Sequence, residues 1–485
     1  MADLIASESQ YWGHLKAVPI LLLAFYYLPP VLANTIGQAS NFNFSTAVAE
    51  EYGCNQTCQQ INALANVADL NTLGLEFDYG FYNTAVNFSS SKPGDVLKIA
   101  PINSSKLSIP AGIAAYKIQY TSLDIDGAYV PVTGFVALPF TLPYTTKKFP
   151  LLAYAHGTIG IYRGCAPSSS PELFDYNTWT ALTARGYAIV ATDYAGLGNN
   201  YTSHKYVNFA AHANDIYYSV VAARKVFGSI LTREWASVGH SQGGGAVWKL
   251  AEHPKVQDNS SGYLGTVAIS APAKVYDMAV WAWNNVLPTV DFHKWVVTAE
   301  LPAMDMGVKR LFPEYKHGAI GNALKQRLSL SDIAQSCTFA MMGLTLDLSP
   351  KEILNPSGLI GNQFYEKYQK INAPANGASA SKPMMLIQGL ADTSVIPQTV
   401  IASFDDTCRF GNEVHLRLYP GLDHSATPIA SAPEWTNWIN SLFEGKGFPP
   451  EGDHYRTVGN CTNITRIPVD LSDAKAPVEI DFSSL

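Results

Sequence analysis

Charge is scarce in this chain. Asp, Glu, Lys and Arg together make up only 15% of 485 residues, and the formal net charge is −7. That balance offers nothing to nucleic acid or to an acidic surface. Cysteine is scarce too: Cys54, Cys58, Cys165, Cys337, Cys408 and Cys461 are the whole set. None of them stands at zinc-site spacing with histidines nearby, so no metal is expected; an even count points instead to disulfides and an oxidising compartment. No internal repeat is present, and no motif calls for an organic cofactor. Long apolar runs are missing as well. The N-terminal run, Ala17 to Leu28, is interrupted by Pro19 and closed by Pro29-Pro30, which is short of the roughly 20 residues a membrane helix needs.

What is present begins with that same run. His14 and Lys16 precede it, and Val31 and Ala33 are compact enough for cleavage after Ala33, the pattern of a secretory signal peptide over residues 1–33. The long leader ahead of the run leaves a signal-anchor as the alternative. Export agrees with the even cysteine count and with N-x-S/T sequons at Asn43, Asn55, Asn87, Asn103, Asn200, Asn259, Asn460 and Asn463, which mark candidate glycosylation sites. Hydrophobic residues reach 47%, ample for a large core.

An N-terminal segment, 34–92, carries Cys54-x3-Cys58, which suits a small closed loop, and a weakly helical stretch from Thr57 to Leu70. Strand-like runs follow at Val96–Ile99, Ala115–Thr121 and Val130–Leu138, with Asp126-Gly127 as a hairpin signal. Strands and helices then alternate: Pro150–Ala155, a helix over Tyr176–Arg185, Tyr187–Thr192, a helix over Asp215–Phe227, a strand ending near His240, and Gly265–Ser270. Such alternation predicts a mostly parallel sheet with helices on both faces. From Ala271 to Lys382 only helical patches appear, at Val275–Val286, Ile320–Leu328 and Gln363–Lys370; an interval that long reads as an inserted helical cap. Strands resume at Met384–Gln388 and Val414–Tyr419, and a helix over Glu434–Phe443 closes the core. The boundaries are therefore 93–271 and 383–444 for the two parts of the core, 272–382 for the cap, and 445–485 for an unassigned tail.

The chemistry centres on Gly239-His240-Ser241-Gln242-Gly243, a Gly-x-Ser-x-Gly placed between a strand-like run and a helix-compatible one. That is the context of a nucleophile elbow, in which a tight turn exposes the serine hydroxyl. The N–H of Gln242 then lies at a helix N-terminus, where it favours developing negative charge. Partners for Ser241 belong just past the carboxyl ends of strands. Asp392 follows Met384–Gln388 and His424 follows Val414–Tyr419, giving the order Ser, Asp, His. In those roles His424 is the general base and Asp392 fixes its tautomer. Rivals are His156 and His240 for the base, and Asp193, Asp405, Asp406 and Asp423 for the acid. A second oxyanion donor fits His156-Gly157-Thr158, after Pro150–Ala155: Gly157 allows close approach and Thr158 supplies the N–H.

Across residues 93–440 the chain resembles the fungal secretory lipase family of the α/β-hydrolase superfamily. The stretches that carry the likeness are Pro93-Gly94-Asp95-Val96-Leu97, Tyr120 through Val132-Thr133-Gly134, Gly164-Cys165-Ala166-Pro167-Ser168, and Asp193-Tyr194-Ala195-Gly196-Leu197-Gly198. Gly239 to Gly244, Gln388-Gly389 to Val395-Ile396-Pro397, and Tyr419 to His424 complete it. The resemblance implies the α/β-hydrolase fold with a helical cap, the triad Ser241, Asp392 and His424, and a Cys165–Cys337 disulfide, with Cys408–Cys461 and Cys54–Cys58 as the remaining pairs. One departure is the loop His156-Gly157-Thr158, where lipase-type members often carry an acidic residue; esterase relatives look like this chain.

The expected activity is that of a secreted, extracellular serine ester hydrolase, lipase or carboxylesterase, cleaving a small-molecule or lipid ester such as an acylglycerol. A lipid–water interface is a natural setting for a triacylglycerol lipase-type enzyme. Alternatives are a tailoring esterase acting on a secondary metabolite and a non-catalytic binding protein on the same fold. The cap stretch Val275 to Trp283 either lines an acyl tunnel or packs on the sheet.

Overall fold

A computed structural model describes residues 37–176, 178–446, 456–458 and 460–468; the expected signal peptide lies outside them. The described residues form one eleven-stranded sheet in the order β1-β2-β3-β5-β4-β6-β7-β8-β9-β11-β10. Its strands are β1 (Val96–Pro101), β2 (Ile113–Leu123), β3 (Tyr129–Pro139), β4 (Phe149–Ala155), β5 (Ala188–Thr192) and β6 (Leu231–His240). They continue with β7 (Tyr263–Ile269), β8 (Met384–Gly389), β9 (Val414–Tyr419), β10 (Arg456–Val458) and β11 (Cys461–Thr465). The first strands are antiparallel, and β5 through β11 in spatial order are parallel.

The central strands read as unbroken apolar runs because both faces are covered. Every residue of β5 and of β8 is buried. On one face lie α2 (Phe209–Phe227) and α3 (Gln242–Ala251), where Ile216, Val220, Val247 and Trp248 join the larger core. The other face packs Trp179 and Leu182 from a short helix and Trp435, Trp438 and Ile439 from α9 (Ala432–Glu444) against Leu152, Val238, Val267 and Ile387.

The region between β7 and β8 is helical: α4 (Val275–Asn285), α5 (Leu301–Leu311), α6 (Asn322–Ala334) and α7 (Gln363–Asn372), with shorter turns between. It is tied to the core at several points. Cys165 is disulfide-bonded to Cys337. Arg310 of α5 donates to the carbonyls of Ile161 and His204 at 2.8 and 2.9 Å. An N-terminal helix, α1 (Gln56–Leu73), capped by Asn55, packs on the short helix Thr338–Gly343; Asp69 accepts from the N–H groups of Phe339 and Ala340.

Several elements differ from the sequence expectation. Among the described residues of the helix expected over 176–185, Trp179–Thr183 are the helical ones, and α2 starts at Phe209, six residues earlier than the pattern suggests, on an Asn208 cap. The tail supplies β11, which extends the sheet by pairing in parallel with β9. It is fastened there by a disulfide from Cys461 to Cys408 on α8 (Pro397–Arg409). The third disulfide joins Cys54 and Cys58.

Two predictions follow from these ties. The Cys408–Cys461 bond closes 53 residues of sequence separation, and chain entropy values such a closure at about 4 kcal/mol. The double variant Cys408→Ala/Cys461→Ala should lower the urea midpoint accordingly; an unchanged midpoint would mean that β11 holds its place without the bond. The second concerns Asp215, which clamps α2 to β2 and to the loop after β5 by accepting from Ser122 Oγ at 2.5 Å and Ala195 N at 2.9 Å. Burial pushes its carboxyl up to about 7, whereas an unfolded aspartate titrates near pH 4. Folding therefore takes up a proton between those values: the contribution is complete below the unfolded pKa and is lost as pH rises through the folded one. Asp215→Asn removes the titration: its Oδ1 can accept from Ala195 N while its Nδ2 donates to Ser122 Oγ, reversing that one bond. Urea midpoints at pH 5, 6 and 7 should show its stability slope flatter than the parent's by about 1 kcal/mol per pH unit; equal slopes would contradict this.

Candidate active site

At the carboxyl end of β6 the chain turns into α3 with almost no room. A Cβ on Gly239 would lie 2.2 Å from the carbonyl oxygen of Gly243, and one on Gly243 would lie 1.9 Å from that of Ala155. Only glycine fits at either place. Between them Ser241 is held at φ 57°, ψ −125°, a conformation that a non-glycine residue keeps only when its surroundings enforce it. Its own N–H is anchored on the carbonyl of Ile269 at 2.9 Å.

Asp392 and His424 leave the ends of β8 and β9, two adjacent strands, and meet. His424 Nδ1 lies 2.8 Å from Asp392 Oδ2. The other carboxylate oxygen, Oδ1, accepts from the N–H groups of Ser394 and Val395, each at 2.9 Å, and Gln388 Nε2 donates to Oδ2 at 3.2 Å. The carboxylate is thus buried with its lone pairs occupied, so it cannot swing away from the imidazole. Ser241 and His424 line one cleft, together with Gly157, Thr158, Tyr176 and Glu300.

The turn after β4 brings Gly157 against the elbow, where a Cβ would stand 3.3 Å from Ser241 Cβ. Among the described residues, the N–H groups of Thr158 and Gln242 donate to no protein acceptor. Thr158 Oγ1 is instead paired with the Tyr206 hydroxyl at 2.8 Å, and the Gln242 side chain donates to His204 Nε2 at 3.2 Å. Beneath the turn lies a stack of rings: Tyr194 is 4.3 Å from both His156 and His212, and His204 and His212 are parallel at 5.2 Å. Burial pulls His156 down to about 4 and His204 down to about 3, and holds His212 well below the usual value, so the platform is uncharged at neutral pH.

The rival residues have other partners. His156 is buried between the carbonyls of Gly157 and Asp193. His240 donates from Nε2 to the carbonyl of His424 at 3.1 Å and stacks on Tyr176, which supports the histidine loop rather than the serine. Asp193 accepts from Thr133 and twice from Ser168, and burial raises it to about 6; it braces β3 against the loop after β5. Asp405 and Asp406 lie on α8, and Asp423 caps the short helix after His424 by accepting from Ser425 and Ala426.

A second chamber opens at Ser241 and is mostly apolar: Val275, Met278 and Ala279 of α4 line it with Val297, Leu301 and Met304. One side of the Val275–Trp283 stretch therefore lines the chamber while Ala282 is packed away from solvent. Several lining residues carried no signal in the sequence. Tyr206, Glu300 and Thr338 come from loops and helix ends with no motif, and α1 reaches the rim with Asp69, Thr72 and Leu73. Ser394 alone was within reach, two positions from Asp392. Among the described residues no group of three His, Cys, Asp or Glu is placed to hold a metal ion, and no helix is long and apolar enough to cross a membrane. Of the sequon asparagines, Asn43, Asn55, Asn87, Asn103, Asn200, Asn259 and Asn460 are exposed and Asn463 is half-buried.

Comparison with known proteins bears on the architecture. A sequence model of the prolyl oligopeptidase family matches residues 333–444, a span that contains Asp392 and His424. No curated protein sequence matches the chain. Among solved structures, Candida antarctica lipase A is similar with a TM-score of 0.61 at 16% identity, over 80% of this chain and 89% of that one. The rice cell wall degrading esterase LipA from Xanthomonas oryzae is similar with a TM-score of 0.56 at 17% identity, over 74% of this chain and 100% of that one. With its sharp turn at the centre of a mostly parallel sheet and a helical insertion ahead of β8, the chain has the α/β-hydrolase fold.

Proposed function

We propose that this protein is a serine hydrolase of carboxylic esters that works through an acyl-enzyme. The observation that carries the reading is the 2.8 Å pairing of His424 Nδ1 with a fully engaged Asp392, in a cleft shared by His424 and the strained Ser241. Ser241 Oγ attacks the ester carbonyl while His424 Nε2 takes its proton. Asp392 holds the Nδ1–H tautomer and stabilises the imidazolium. The tetrahedral oxyanion is received by the N–H groups of Thr158 and Gln242, the second of them at the N-terminus of α3. His424 then returns the proton to the departing alcohol. Water, activated by the same imidazole, releases the acid and restores the hydroxyl.

The apolar chamber beside Ser241 supports a carboxylic acyl group as the part of the substrate bound there. Three disulfides and exposed sequons support an exported, glycosylated enzyme. Acylglycerols fit this scheme as substrates. The neutral His156-Gly157-Thr158 turn favours esterase-type substrates over long-chain triacylglycerols.

Ser241→Ala should reduce kcat/KM for p-nitrophenyl butyrate by ~10⁴ or more, and Asp392→Asn by a similar order, because the three groups act as a unit. Near-parental turnover by Ser241→Ala would remove that serine from the chemistry. A wild-type protein inert toward esters from acetate to long chains would favour a binding role for the fold.

A further inference from the structure

His240 joins three parts of the site that come from distant stretches of chain. It ends β6 and pairs there with Ile269 of β7, so its main chain belongs to the buried centre of the sheet. Its buried ring reaches the loop that carries the base. Nε2 lies 3.1 Å from the carbonyl oxygen of His424, and the two ring centroids are 4.6 Å apart. On the side of the other nitrogen, a Cβ on Gly157 would stand 3.7 Å from Nδ1, which places that atom against the oxyanion turn. Tyr176 stacks on the same ring at 5.0 Å and 13°, and its hydroxyl is paired with that of Ser425, the residue after the base.

A carbonyl oxygen only accepts, so the bond to His424 requires a hydrogen on His240 Nε2. In a neutral ring Nδ1 is then bare. Burial holds His240 well below the usual histidine value, and the neighbouring His424 acts in the same direction. Neutrality matters because His424 becomes an imidazolium when it takes the serine proton, and a second cation 4.6 Å away would oppose it. The contact also supplies a constraint that Asp392 does not. A hydrogen bond through Nδ1 of His424 fixes the tautomer of the base but not the height of its loop over Ser241. The bond from His240 ties the main chain of that loop to the residue next to Ser241, so nucleophile and base are positioned from one strand end.

We propose that His240 is a positioning residue for the base: its Nε2–H, donated to the His424 carbonyl, sets the reach of the imidazole to Ser241. This rests on the hydrolase reading above, within which His240 acts through His424. Displacing a catalytic group by about 1 Å costs on the order of 10²-fold in turnover, so a single main-chain tie has a measurable effect on rate.

Two variants separate the ring from its hydrogen. His240→Phe keeps a flat ring without a donor, and His240→Gln keeps a donor at about the reach of Nε2. Hydrolysis of p-nitrophenyl butyrate is measured per site that a fluorophosphonate titrates. His240→Phe should lower kcat by ~10- to 100-fold while KM stays within about twofold, and His240→Gln should recover most of that loss. Parental kcat in folded His240→Phe, a loss confined to KM, or an equal loss in both variants overturns the proposal. So does a lowered urea midpoint with kcat per titrated site intact, the mark of a purely structural role. A second measurement needs no variant: a neutron structure of the unaltered protein should show deuterium on His240 Nε2 and none on Nδ1, and the opposite pattern overturns the proposal. Failure of the hydrolase reading itself looks different, because the wild-type enzyme would then be no faster than Ser241→Ala.

Discussion

Everything in this site depends on one place where main chain touches main chain. The carbonyl oxygens of Ala155 and Gly243 occupy the space that side chains on Gly243 and Gly239 would need. Because β4, β6 and the start of α3 are in contact there, Ser241 has no relaxed conformation open to it and stays at φ 57°. The local cost, on the order of 1–3 kcal/mol, is spread over a sheet that is buried on both faces. The return is a hydroxyl lifted off the sheet and an N–H beside it, at Gln242, left without a protein acceptor among the described residues.

The surroundings keep that geometry rigid and uncharged. Four ring systems, His156, Tyr194, His204 and His212, pack beneath the turn, and burial keeps the three imidazoles neutral at physiological pH. They act as flat, dry spacers with hydrogen-bonding edges: His204 accepts from Gln242, and His156 braces Gly157. The cap is bolted rather than draped. Arg310, the Cys165–Cys337 bond and the hydroxyl of Tyr368 on the carbonyl of Tyr206 join it to the loops that shape the cleft. These ties hold the chamber between α4 and α5 against the core.

Much of the core was legible because its signals are local. Val414–Tyr419 coincides with β9, and the positions of Ser241, Asp392 and His424 follow from strand ends that the apolar runs announce. Elsewhere the cause of structure lies far away in sequence. Phe209 to Asn214 reads poorly as helix because His212 and Asn214 interrupt the pattern, yet His212 is buried by Tyr194 and His204. Leu231 to Glu234 begins β6 although Arg233 and Glu234 are exposed. Cys461–Thr465 is too short and polar to stand out; it becomes a strand because β9 offers an unpaired edge and Cys408 holds it there. The N-terminal helix is weakly patterned, since its buried face meets a cap turn that only the folded chain assembles. Glu300 had no motif at all: only the fold places it in the cleft with Ser241 and Thr158.

The proposed chemistry requires Ser241 to be the activated nucleophile of this arrangement. Treating the native protein with a fluorophosphonate and mapping the adduct by peptide mass spectrometry tests that most directly. A single phosphonylated serine at position 241, lost when His424 is replaced by Ala, is the result predicted here. Labelling at another serine, or none in a folded protein, would contradict it.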